Sequence, residues 1–291
     1  MEKRKKLRKL LKEGPILVAP GSYDVLTARL VQDAGFSAVY MTGSGVSLSA
    51  LGIPDLGLIS YAEVLDRLEK IAAAIDIPLI ADGDTGYGGV LSVIRTVKGY
   101  EARGASAMHI EDQKDPKRCG HELGRRLITP EEMVGKIKAA LDARTDADFV
   151  IIARTDARTV EGIDRAIERG LKYQEAGADV IFVESPESVE EMRRIAASFR
   201  GPAMANMVEG GRTPFLPYPE LEKLGYRLAI YPNSLTRLFC RAGKDLLTEL
   251  KRNGSTQAFH DKMLTHGELW RLFGSEQWAE LEKRYSPSNL Q

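Results

Sequence analysis

Eight short runs of apolar and β-branched residues recur along the chain, separated by segments whose apolar residues fall at helical spacing. The runs are ILVAP (16–20), AVYMT (38–42), PLIAD (78–82), AMHIE (107–111), FVIIAR (149–154), VIFVE (180–184), AMAN (203–206) and LAIYP (228–232). Near-continuous apolar strands joined by helices cannot leave one face in water, so they imply a parallel sheet covered on both sides. Eight successive units are the count at which such a sheet closes. The expected fold is therefore α/β, a (β/α)8 TIM-type barrel. A doubly wound open sheet does not naturally supply eight successive units, and no G-x-G-x-x-G opens the first helix. No linker or low-complexity tract splits the 291 residues. The expectation is one barrel domain over 1–291 with an N-terminal helix and extra C-terminal helices, which cap the barrel or engage another subunit.

Lys+Arg and Asp+Glu number 41 each, so no excess positive charge draws the chain to nucleic acid or an anionic membrane. No window approaches the roughly 18 apolar residues of a membrane span. Near the N-terminus Leu7, Leu10 and Leu11 recur at helical spacing among lysines, the pattern of a short amphipathic helix. Cys119 and Cys240 are too few for a disulfide framework, which fits a reducing cytoplasm. A small-molecule partner is the expectation.

In a parallel barrel the chemistry gathers where the strands end. Here the second strand ends in Thr42-Gly43-Ser44-Gly45, the third in Asp82-Gly83-Asp84, the fourth in Glu111-Asp112, the fifth in Arg154, the sixth in Glu184 and the seventh in Asn206. Any one of these acids can instead cap a helix or start a turn. Asp82, Asp84 and Glu111 together crowd three negative charges into one mouth, a costly arrangement unless a cation or protons compensate. All-oxygen ligands point to Mg²⁺ or Mn²⁺ rather than zinc, held directly or through water. Such an ion would act as a Lewis acid on a 2-oxo or 2-hydroxy carboxylate, with Arg154 able to hold a carboxylate bidentately. The TGSG turn offers N–H groups and the hydroxyls of Thr42 and Ser44 to an anion, although glycines there also serve backbone geometry alone.

The stretch 113–128 is longer than a usual strand-to-helix connection and carries Cys119 between Lys117, Arg118 and His121. Those neighbours favour the thiolate and make the cysteine a candidate proton carrier or nucleophile, against the alternative of a small buried hydrophobe. Cys240 reads as a structural residue within a helical pattern. His109 lies inside the fourth strand and reads as a satisfied core histidine.

PKRCGH closely resembles the signature of the isocitrate lyase and phosphoenolpyruvate mutase superfamily. The likeness extends through GSYDVLTARLVQDAGFSAVYMTGSGVS, LGIPDLG, ADGDTGYGG, HIEDQ, IIARTDAR and ANMVEGGRTP, nearly all of the chain from Pro15 onward. The resemblance implies a Mg²⁺-dependent barrel, usually tetrameric, whose eighth helix packs on a neighbouring subunit. It implies a metal site at Asp82 and Asp84 with Glu111 and Asp55 in support, and substrate contacts from Thr42, Gly43, Ser44, Gly120, Arg154, Glu184, Asn206 and Arg237. The catalytic set it implies is Cys119 as general acid on a mobile gate, with His121 beside it, Glu111, and Tyr40 as the candidate base for a substrate hydroxyl.

The implied reaction is cleavage of the C2–C3 bond of a 2-hydroxy dicarboxylate, giving a 2-oxo acid and a second fragment that Cys119 protonates. CGHELGRRL, FVESP, EGGRTP and SEQWAELEKRY are similar to the branch that acts on 2,3-dimethylmalate and related diacids, with pyruvate and a short acid as products. Methylisocitrate lyases tend to carry arginine where this chain has His266, which points away from a tricarboxylate. Cleavage of 2-methylisocitrate, hydrolysis or decarboxylation of oxaloacetate, phosphonate formation, and a catalytically silent binding protein are the competing expectations.

Overall fold

A computed structural model describes residues 2–120, 122 and 124–286. Eight parallel strands close in sequence order: β1 (Leu17–Ser22), β2 (Val39–Met41), β3 (Leu79–Asp82), β4 (Ala107–Glu111), β5 (Val150–Thr155), β6 (Val180–Val183), β7 (Ala203–Asn206) and β8 (Leu228–Tyr231), with β8 pairing back onto β1. The (β/α)8 barrel expected from the eight apolar runs is the observed fold, each strand lying within a residue or two of its run.

Local chemistry fixes where the covering helices start. Ser60 with Glu63 and Thr129 with Glu132 form reciprocal capping boxes at helices Tyr61–Ala74 and Pro130–Ala143, and Pro130 adds a preset first-turn φ. Their apolar stripes, such as Val64, Leu68 and Ile71, are buried against the outer faces of the strands. The inward-facing strand residues form a second cluster that includes Leu17, Ile80, Val150, Ile152, Phe182 and Ile230. Leu7 and Leu11 of helix Glu2–Lys12 join this inner cluster. Burying a leucine contributes about 2 kcal/mol, so the helix is a plug rather than a basic arm. Its cations tie down the segments that lead into the strands: Arg4 Nε donates to the Ala105 carbonyl (3.1 Å) and Arg8 Nη1 to Asp179 (3.0 Å). One end of the barrel is thus sealed, and the polar strand ends converge at the other.

The chain divides into two compact units, the barrel through Thr236 and a helical unit from Arg237. The helical unit holds most of helix Ser234–Asn253, a short 3-10 turn at Gln257–Lys262, and helices His266–Leu272 and Ser275–Tyr285. Leu247, Trp270, Trp278 and Tyr285 are exposed there. Cys240, read from the sequence as a packed structural residue, is exposed. Thr236 alone is buried on this helix, so its position there gives the cysteine no core to enter.

Candidate active site

Asp82 is the hub of one side of the mouth. Its Oδ1 accepts the Asp84 backbone N–H (2.9 Å) and lies 3.0 Å from His109 Nε2, while its Oδ2 accepts from the Gly43 N–H (3.1 Å) and the Tyr40 hydroxyl (3.3 Å). His109 Nδ1 lies 3.2 Å from the same hydroxyl, so β2, β3 and β4 contribute one connected Tyr40–His109–Asp82 cluster. Burial alone would raise the Asp82 carboxyl, but His109, Lys117 and the Asp84 N–H outweigh it and hold the group below the usual carboxylate range. Gly43 must be glycine here, since a Cβ would sit 2.7 Å from Asp82 Oδ2.

Asp84 adopts a left-handed backbone (φ 47°), which turns the chain directly after β3. Lys117 Nζ lies 2.5 Å from both Asp55 and Asp84, with only 4% of its side chain exposed. Burial, together with Asp82 and Asp55, pushes Asp84 up to about 6 even though Lys117 opposes the shift. Burial disfavours the Lys117 charge, but Asp84, Glu111, Asp55 and Asp82 overcome that and raise its pKa. Burial also raises the Glu111 carboxyl, against Arg154.

On the other side, Arg154 at the end of β5 lies against Asp156 through Nε (3.0 Å) and Nη2 (2.9 Å). Its Nη1 is 3.1 Å from Glu111, its Nη2 is 3.5 Å from Glu184, and its guanidinium stacks over the Phe182 ring. Glu184 in turn accepts from Asn206 Nδ2 (3.0 Å) and the Ser185 N–H (2.7 Å).

The stretch 113–128 closes over this floor. Its base is a short antiparallel bridge between Gln113 and Leu127, and the Gln113 side chain clasps the Arg118 backbone at 2.8 and 3.0 Å. Ser185 Oγ donates to the Gly120 carbonyl (2.9 Å), and a Cβ on Gly120 would fall 2.4 Å from Arg154 Nη2. Only glycine lets the loop backbone come this close. Between Tyr40, Asp82, Cys119, Arg154, Glu184 and Asn206 remains a cavity of about 40 Å³, room for a water molecule. Cys119 also borders an outer cavity of about 670 Å³ lined by Leu48, Asp55 and Leu56. Cys119 thus stands in the wall shared by the inner and the outer cavity.

The structure brings together Tyr40, Thr42, Ser44, Asp55, Asp82, Cys119, Gly120, Arg154, Glu184 and Asn206 around that cavity, with Asp84 and Glu111 in direct contact with its walls through Lys117 and Arg154. Arg237 belongs to the helical unit, and His121 lies outside the described residues. Four readings change. Tyr40 is a poor base as its neighbours stand, because burial and then Asp82 raise its pKa well above the usual phenol, so it donates a hydrogen bond. Asp156 takes the Nε/Nη2 edge of Arg154, so a substrate carboxylate would meet the Nη1/Nη2 edge, beside Glu111 and Glu184. The Gly43 N–H is engaged by Asp82, and Thr42 Oγ1 caps helix Gly43–Leu51 through the Gly45 N–H (3.3 Å). Lys117 is committed to two acids rather than to the thiol.

Three residues with contacts here escape the sequence: His109, with Nδ1 on the Tyr40 hydroxyl but Nε2, 3.0 Å from Asp82, without a hydrogen-bond partner among the described residues, Lys117 as a counter-cation, and Asp156 as the partner of Arg154. Asp156 carried a signal, because residues two apart on a strand share a face. Lys117 carried none, since its partners come from distant segments.

The donor chemistry fits a hard divalent ion: Asp55, Asp82, Asp84 and Glu111 are oxygen-only ligands, and Glu111 Oε1 is buried without a hydrogen-bond partner among the described residues. Among those residues no trio of His, Cys, Asp or Glu is gathered closely enough to hold a metal by itself. Mg²⁺ usually keeps several waters and takes one or two carboxylates plus substrate oxygens.

The family model described as phosphoenolpyruvate phosphomutase matches residues 7–251. A 2,3-dimethylmalate lyase from Eubacterium barkeri is 50% identical over 281 residues, covering 97% of each chain. A 2-methylisocitrate lyase from Aeropyrum pernix is 42% identical, covering 96% of this chain and 88% of that one. Among solved structures, a 2,3-dimethylmalate lyase described as a PEP mutase/isocitrate lyase superfamily member superposes with a TM-score of 0.92 at 36% identity, covering 98% and 96%. A phosphonopyruvate hydrolase complexed with oxalate and Mg²⁺ superposes with a TM-score of 0.88 at 33% identity, covering 98% and 99%.

Proposed function

Because this chain belongs to the phosphoenolpyruvate mutase/isocitrate lyase superfamily, we propose that it is a Mg²⁺-dependent carbon–carbon lyase that cleaves a 2-hydroxy dicarboxylate of the 2,3-dimethylmalate kind to pyruvate and a short carboxylic acid. The observation that carries the reading is the placement of the Cys119 thiol, on the stretch 113–128, in the wall of a small cavity shared with Asp82 and Arg154.

Asp82, Asp84, Asp55 and Glu111 would hold the ion, directly or through water. Bound there, Mg²⁺ supplies Lewis acidity toward the substrate's carboxylate and hydroxyl oxygens. Tyr40 donates a hydrogen bond, and Arg154 presents positive charge through Nη1, where oxygen charge develops. Glu111, whose Oε1 is buried without a hydrogen-bond partner among the described residues, would take the hydroxyl proton. As that proton leaves, the C2–O bond gains double-bond character, the C2–C3 bond breaks, and its electron pair passes to C3 and the adjacent carboxylate. The Cys119 S–H then protonates C3 and is left as a thiolate. Loop closure keeps water, a competing proton source, out of the cavity. Asn206 Oδ1, which has no partner among the described residues, can accept from a substrate hydroxyl.

Homotetrameric assembly through the helical unit and a cytoplasmic location complete the reading. Exposed Leu247, Trp270 and Trp278 support the assembly. A panel of 2-hydroxy and 2-oxo diacids and triacids with Mg²⁺, followed by pyruvate release in a coupled hydride assay, tests the reaction. We expect turnover of 2,3-dimethylmalate above 2-methylisocitrate and oxaloacetate. Silence across the panel refutes the lyase, and a preference for 2-methylisocitrate replaces the substrate while keeping the chemistry.

A further inference from the structure

One carboxylate joins the loop to the arginine beneath it. Asp156 holds Arg154 through Oδ2 on Nε and Oδ1 on Nη2, and the same Oδ1 lies 2.5 Å from Nη1 of Arg125. Arg125 belongs to the stretch 113–128 that carries Cys119, and its Nη2 donates to Thr159 Oγ1. The three side chains are 1%, 0% and 9% exposed for Arg125, Asp156 and Arg154. The barrel fixes Asp156 from behind: its backbone N–H donates to Asp112 Oδ1 (2.9 Å), and Asp112 Oδ2 accepts from Thr155 (2.7 Å), Tyr173 (2.7 Å) and Arg169 (3.2 Å). Of the groups that meet at Asp156, only Arg125 arrives on the loop.

We infer that Arg125 is a positioning residue that, through Asp156, sets the electrostatic reach of Arg154. Without Arg125, Arg154 faces Asp156, Glu111 and Glu184 alone, one cation among three carboxylates. Docking Arg125 on Asp156 adds a second cation to the side of Arg154 away from the cavity. The Arg154 field is then less spent on Asp156 and falls more fully on oxygen charge developing beside Nη1. Such an effect is large only because the cluster is buried, where charges are poorly screened.

The inference rests on the lyase reading for the identity of the reacting oxygens, and its test separates the two. Oxalate with Mg²⁺ is the probe, a planar dianion with the charge of a 2-oxo acid enolate, and its binding to wild type, Arg125→Met and Arg125→Lys is measured by calorimetry. Loss of a buried charge-assisted contact corresponds to about 10- to 100-fold. Arg125→Met should weaken oxalate by that factor and lower kcat similarly while KM changes little; Arg125→Lys, which keeps the charge, should recover most of both. Oxalate affinity and kcat equal in all three proteins overturn the inference, as does loss in Arg125→Lys as deep as in Arg125→Met, which marks a packing role. Failure of the substrate reading shows differently: no diacid of the panel is turned over by wild type, while oxalate binding still follows the charge at position 125.

Discussion

On the side of the mouth built around β2, β3 and β4, four carboxylates (Asp55, Asp82, Asp84 and Glu111) meet one ammonium, Lys117, brought in by a loop. On the side built around β5, β6 and β7, two carboxylates, Asp156 and Glu184, meet Arg154 from the barrel and Arg125 from the loop. The two guanidiniums match those two acids, and Arg154 also reaches Glu111 of the first side at 3.1 Å. The first carries negative charge that a single lysine does not cancel, and its excess shows in Asp84, pushed up to about 6, and in the raised Glu111. A buried excess of carboxylates is costly unless a cation completes it. In the proposed lyase, the first side would take the cation and the second would stabilise developing oxygen charge.

The largest effect that would break this division comes from Asp82→Asn, which should abolish Mg²⁺ binding in calorimetry and reduce turnover by about 10³-fold. Asp156→Asn, on the opposite side, should slow turnover yet leave Mg²⁺ binding intact; equal loss of metal in both variants would erase the distinction between the sides. Next in size, Cys119→Ser should lose about 10²- to 10³-fold in kcat while binding Mg²⁺ and oxalate as wild type does. Turnover unchanged in that variant removes the cysteine from the chemistry.

The smallest effect bears on the lysine. Lys117→Met removes the cation that now neutralises Asp55 and Asp84, so Mg²⁺ in the absence of organic ligand should bind about 3- to 10-fold tighter, although turnover falls as the loop loses its anchor. Weaker metal binding in Lys117→Met would mean that the ammonium supports the metal site rather than standing in for part of it.

The barrel was legible because its signal is local and repeated: each strand is an apolar run buried on both faces, and β4 falls on AMHIE without displacement. The acids at the strand ends were legible for the same reason, since a strand's last residue is fixed once the strand is. The loop was not. Lys117 and Arg125 find partners in Asp55, Asp84 and Asp156, and nothing in neighbouring residues announces a long stretch folding back across the mouth. Reading Lys117 by its neighbour Cys119 assigned its charge to the thiol, when burial beside two carboxylates decides where an ammonium goes. Tyr40 was legible by its position at the rim, but its proton affinity, raised by burial and by Asp82, depends on neighbours that its own stretch of chain does not show.

The most direct test of a cation site among the acids is a Mn²⁺ titration of the wild-type protein followed by electron paramagnetic resonance from about pH 8 to about pH 5. Asp84 must be ionised to serve, and with its proton affinity raised to about 6, lowering the pH through that value removes a ligand charge. The account predicts one ion per chain, with affinity that falls as the pH drops through about 6. No bound ion, or an affinity flat across that range and unchanged in Asp82→Asn, would contradict it.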